Sequence, residues 1–125
     1  MLKLTDFFLV FLGGGLGSVL RFLLSRMIMT KYPTVFPWGT WWINFIGSFL
    51  IGLIFAYSSK SPHIQSYKLF LISGFCGGFT TFSTFSLDNW NLYTKGEYLY
   101  AIFYSTSSVI LGIVAAMTGI FLVKN

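Results

Sequence analysis

Four apolar stretches limit what this chain can become. They run from Leu4 to Met29, Trp38 to Tyr57, Lys68 to Tyr93 and Tyr98 to Val123. Each is long enough to cross a bilayer, which takes about 20 residues of helix. Turn-forming residues part them: Lys31-Tyr32-Pro33-Thr34, Ser58-Ser59-Lys60-Ser61-Pro62-His63 and Thr94-Lys95-Gly96-Glu97. Only 9% of the 125 residues are charged and 55% are hydrophobic. A soluble domain carries roughly 25% charge, so water is the wrong solvent for this chain. In lipid the demand inverts, because backbone groups must be satisfied internally while apolar side chains face outward. The runs are continuous rather than strictly alternating, which speaks against a β-barrel. The expected fold is an all-α integral membrane protein: one domain over residues 1–125, with four transmembrane helices.

The first stretch is too long for a cleaved signal peptide and carries Arg21 and Arg26 at the wrong end, so it is expected to stay in the protein. Trp38, Trp41 and Trp42 open the second stretch, and Trp90 and Tyr93 close the third. These read as interfacial anchors. The single Cys76 excludes an intrachain disulfide and any cysteine-pair metal site. The net charge is +5, but the basic residues stand singly or in pairs at span ends, which is topology information rather than a nucleic-acid surface. His63 is expected on a loop surface, and Asp88 and Glu97 near the headgroups.

Four spans place both termini on one side, with Lys3, Lys60, Lys68 and Lys124. The other side holds Arg26, Lys31 and Lys95. Such a small difference barely favours either orientation under the positive-inside rule. A chain inserted both ways could pair with an inverted copy of itself, or the small excess could fix one orientation. Small residues also suit close packing: Gly13, Gly14, Gly15, Gly17 and Ser18 in the first span, Gly47, Ser48 and Gly52 in the second. That packing serves either a second copy or the chain itself.

Polar residues recur at membrane depth. Thr40, Asn44 and Ser48 share one face of the second span, as Tyr104, Ser108 and Gly112 do in the fourth. A lone hydroxyl in a span commonly bonds to the carbonyl one turn back. Asn44 has no such local solution, so it bridges helices or faces a polar path. Arg21 lies well inside the first stretch, where an ionisable residue is either functional or snorkels outward.

The third span reads Gly74-Phe75-Cys76-Gly77-Gly78-Phe79-Thr80-Thr81-Phe82-Ser83-Thr84-Phe85-Ser86. Glycine is about 1 kcal/mol worse than alanine in a helix interior. Two glycines beside two β-branched threonines predict a third helix broken near mid-membrane, over Gly77 to Thr80, with a continuous glycine-faced helix as the alternative. Broken spans place free carbonyls and helix ends at membrane depth, where ions bind. Phe82 and Phe85, at i and i+3, lie side by side among hydroxyls. Aromatic ring edges are electropositive, so such rings could replace water around a small anion.

These features resemble the bacterial dual-topology fluoride channels, the Fluc or CrcB family, over essentially the whole chain. The marks are Gly14-Gly15-Leu16-Gly17 with Arg21, Gly39-Thr40 followed by Asn44 and Gly47-Ser48-Phe49, and the Gly74 to Ser86 segment. Trp41 and Trp42 stand where the family more often has smaller aliphatics. The resemblance implies an antiparallel homodimer with two fluoride paths along the subunit interface. It implies that Phe82 and Phe85 meet fluoride with their ring edges. Asn44 would be a pore-lining donor, with Thr40, Ser83, Thr84, Tyr104 and Ser108 as further polar lining and Arg21 near a vestibule. It also implies a structural sodium ion at the dimer centre, held by the backbone carbonyls of Gly77 and Thr80.

On this reading the protein is no enzyme but a fluoride-selective channel in the cell's inner membrane. It passively exports fluoride that enters as HF, and so prevents fluoride toxicity. Fluoride is small and strongly hydrated, and closely spaced donors in a narrow path favour it over chloride. The competing reading is a small dual-topology multidrug or cation exporter, which needs a membrane-embedded carboxylate. Asp6 lies at the edge of the first span, and Asp88 and Glu97 lie at or near a loop. A non-transporting structural subunit is a third reading, against which the mid-membrane polar track speaks.

Overall fold

The computed structural model describes residues 1–65 and 67–125. Its elements are helical: α1 (Leu4–Lys31), α2 (Trp38–Lys60), α3 (Pro62–Gln65), π1 (Leu69–Cys76), α4 (Gly77–Phe79), α5 (Phe82–Thr94) and α6 (Tyr98–Lys124). Among the described residues, four helical stretches are long and apolar enough to cross a membrane: α1, α2, the third span built from π1, α4 and α5, and α6. Most of their large apolar side chains point outward, among them Phe11, Val19, Phe22, Leu99 and Phe121. That is the arrangement lipid selects.

Glycine decides how the spans pack. α1 lies along the first half of the third span, and α2 lies along α6. A Cβ at Gly17 would meet the backbone of Phe75 and Phe79, and one at Gly78 would meet that of Gly14. On the other seam a Cβ at Gly119 would meet Phe49 and Leu53, and one at Gly52 would meet Ala116. Backbone therefore touches backbone, as small residues allow in membranes. The glycines at both seams join helices of the same chain. Gly15 has nothing within 4 Å of its Cβ position and stays on the outer face.

The third span is interrupted, but not at its glycine pair. π1 is wound in i→i+5 turns, and Gly77 and Gly78 continue the helix to Phe79. The break falls on Thr80 and Thr81, both extended at φ −82°, ψ 159° and φ −151°, ψ 122°. The expected Gly77–Thr80 interruption is thus corrected to Thr80–Thr81. The glycines permit close approach to α1; the Thr80 N–H still donates to the Cys76 carbonyl one turn back, and the chain leaves the helix at Thr81, whose N–H and carbonyl bond to Asn44 instead.

Thr81 then starts α5 afresh. Its hydroxyl accepts from the Thr84 N–H at 3.2 Å, which is N-capping by a side-chain oxygen. At the far end α5 closes through Gly96 at φ +75°. The Glu97 N–H donates to the Leu92 carbonyl and the Gly96 N–H to that of Tyr93, a glycine-terminated helix end. A small aromatic core of Phe36, Leu92 and Tyr104, with Trp38, Trp41 and Phe85 against it, ties the α1–α2 loop to α5 and α6.

Candidate functional site

The interruption in the third span is bridged from α2. The Asn44 carboxamide pairs with both backbone groups of Thr81: the Thr81 N–H donates to Oδ1 at 2.8 Å, and Nδ2 donates to the Thr81 carbonyl at 3.0 Å. One side chain thus satisfies two backbone groups of a buried residue, which lipid could not do. A carboxamide carries two N–H donors, so a second remains for another acceptor. Asn44 therefore bridges helices and also lines a cavity.

That cavity, of about 310 Å³, is lined by Asn44, Ser48, Thr80, Thr81, Phe82, Phe85 and Ser108. It is a groove open on one flank, since Phe82 is 77% exposed. The Phe82 and Phe85 ring centroids are 5.6 Å apart with planes at 38°. The Ser108 hydroxyl is buried and has no hydrogen-bond partner among the described residues. α5 begins at this groove, so its N-terminus contributes partial positive charge at membrane depth. No Asp or Glu is among the groove's lining residues.

A second cavity, of about 280 Å³, lies on the other side of Thr81 and is lined by Arg21, Ser25, Arg26, Thr40, Thr84 and Thr81. Two guanidiniums and several hydroxyls face it without a carboxylate, so it is electropositive. Thr81 lines both cavities, and its hydroxyl donates to Thr84 Oγ1 at 3.1 Å. A chain of hydroxyls therefore links them.

The sequence candidates divide by place. Asn44, Phe82, Phe85 and Ser108 meet at the groove, whereas Thr40, Thr84 and Arg21 meet at the basic cavity. Ser83 is exposed, with its hydroxyl 3.3 Å from that of Thr81. Tyr104 lines neither cavity. It is fully buried, its ring 5.1 Å from that of Phe85, and its hydroxyl donates to Asp88 Oδ2 at 3.0 Å. Asp88 accordingly points inward to a buried phenol and not to the headgroups as expected. Thr81 was expected only as one of the hydroxyls around Phe82 and Phe85; the doublet with Thr80 and a following helix that needs a cap are the sequence signals of its role at the break.

The backbone near the break has carbonyls without their helical partners. Helix geometry would aim the Thr81 N–H at Gly77 and the Thr84 N–H at Thr80. These donors go instead to Asn44 Oδ1 and Thr81 Oγ1. Gly77 and Thr80 therefore present carbonyl oxygens relieved of those bonds.

Comparison with known proteins adds to this geometry. A family model described as CrcB-like protein, Camphor Resistance (CrcB), matches residues 8–120. A Flavobacterium psychrophilum protein named as a fluoride-specific ion channel is 46% identical over 119 residues, covering 94% of this chain and 96% of its own length. A Phocaeicola vulgatus protein of the same name is 46% identical over 114 residues, covering 91% and 94%. One from Gloeothece citriformis is 41% identical over 122 residues, covering 98% and 99%.

Proposed function

This chain belongs to the CrcB family, and from that premise we propose that its groove conducts fluoride out of the cell across the inner membrane. The protein is a multi-pass fluoride channel, not an enzyme. The observation that carries the path is the groove itself: the Phe82 and Phe85 rings, the spare Asn44 N–H and the unpartnered Ser108 hydroxyl surround one cavity.

An anion leaving water loses its hydration, and an unpaired charge in an apolar medium is strongly unfavourable. Ring edges, an amide N–H, a hydroxyl and the α5 N-terminus all present positive charge to it. Arg21 and Arg26 raise the local anion concentration at the basic cavity. Thr40, Thr84 and Thr81 extend the donors inward, with Ser83 beside them. Tyr104 contributes by bracing Phe85. With an inside-negative membrane, passive flow runs outward and drains fluoride delivered as HF.

The groove's open flank supports a second copy as its missing wall, in an antiparallel homodimer carrying two paths. The relieved Gly77 and Thr80 carbonyls suit a hard cation, since sodium takes oxygen donors. A sodium ion between the two copies would neutralise these carbonyl dipoles and join the two interrupted spans.

Purified protein in liposomes loaded with potassium fluoride, followed with a fluoride electrode, is the direct test. Rapid fluoride release with little chloride release is expected. Silence after verified reconstitution would rule out the channel, and equal chloride release would rule out selectivity by donor spacing.

A further inference from the structure

The Ser108 hydroxyl is unusual in having no partner, because a helical serine ordinarily donates to the carbonyl four residues back. For Ser108 that carbonyl belongs to Tyr104. The reason it is not used lies on α2. The Trp41 indole Nε1–H donates to Ser107 Oγ at 2.9 Å. An indole can only donate, so Ser107 must accept there and its own proton must find another acceptor. It donates to the Tyr104 carbonyl at 3.5 Å. Ser107 thus competes for the acceptor that Ser108 would take.

From this arrangement we infer that Trp41 and Ser107 are positioning residues that keep the Ser108 hydroxyl turned into the groove. Trp41 is itself held: its ring stacks on Phe45 at 5.8 Å and 8°, with Trp38 and Trp42 edge-on. The indole donor therefore has a set direction, and it acts on the groove without lining it. A buried hydroxyl that makes no hydrogen bond within the described residues is ready to donate to an anion that arrives. The inference rests on the reading of the groove as the fluoride path and adds to it a control exerted from outside the path.

Fluoride efflux from liposomes tests it with W41F, S107A, S107T and S108A, and with S107A and S108A combined. Losing one oriented hydroxyl is expected to slow efflux about fivefold in W41F, S107A and S108A alike. S107T keeps a hydroxyl and should restore the wild-type rate. In the combined variant S107A should add nothing to S108A, because it acts through that hydroxyl; a purely structural role would give additive losses. Additive losses, or wild-type efflux from S107A beside a slowed S108A, overturn the inference alone. Wild-type protein that passes no fluoride overturns the channel reading and this inference with it. Should W41F fold poorly, the Ser107 series decides the question.

Discussion

Replacing Asn44 with alanine leaves the buried Thr81 N–H and carbonyl without partners. Stability should fall by about 2 kcal/mol, seen as a lower detergent-unfolding midpoint. Asn44→Asp keeps an acceptor for the Thr81 N–H but removes the amide donors and adds negative charge beside the groove. It should therefore abolish fluoride efflux and cost at least as much stability as Asn44→Ala, because a carboxylate oxygen replaces the donor facing the Thr81 carbonyl. Phe85→Ile removes one ring edge and the brace against Tyr104, and efflux should fall about tenfold, equivalent to about 1.4 kcal/mol of the barrier. Asn44 was legible in the sequence because a carboxamide at membrane depth has no partner one turn away. Thr81 and Asp88 were not: the partner of each lies on another helix, Asn44 on α2 and Tyr104 on α6. Spacing along the chain does not reveal such pairs.

The third span shows why composition located an irregularity without placing it. Two glycines and two threonines compete to end a helix there. Contacts settled the matter: Gly78 approaches Gly14 so closely that helix continues through it, while Thr81 surrenders its N–H to Asn44. A Cβ on Gly78 would lie 2.9 Å from the Gly14 Cα. Gly78→Ala should thus destabilise the protein by about 1–3 kcal/mol through overpacking. Gly15→Ala meets open space and should be neutral or gain up to about 1 kcal/mol from helix propensity. Thermal unfolding of the two variants side by side checks whether the seam, rather than glycine as such, matters. The four spans themselves were readable from apolar length alone. The i→i+5 winding of π1 was not, since no residue in Leu69 to Cys76 marks it.

In one chain the groove is open on one flank, where Phe82 stands 77% exposed beside polar lining residues. Of the glycines first considered for assembly, Gly13 and Gly17 meet the third span, Gly47 meets Thr80 and Phe79, and Gly52 meets Ala116, all within the chain, while Gly15 faces outward; a second copy would be met by Gly15 or by other side chains. Phe82 is placed to be one of them. The protein in mild detergent should have the mass of two chains by light scattering, and a C-terminal reporter should appear on both sides of the membrane. A monomer that conducts, or a reporter confined to one side, would refute that assembly. The near balance of basic residues between the two sides is the sequence feature on which that expectation rests.

The pairing of Asn44 with Thr81 also bears on biogenesis. Thr81 cannot adopt its extended form in lipid until the carboxamide is present to receive it. In chain order α2 is synthesised before the third span, so the receiving group is already in the bilayer when its target emerges from the ribosome. A circular permutant that delivers the third span first would expose an unsatisfied peptide group to lipid and should accumulate in quality-control pathways.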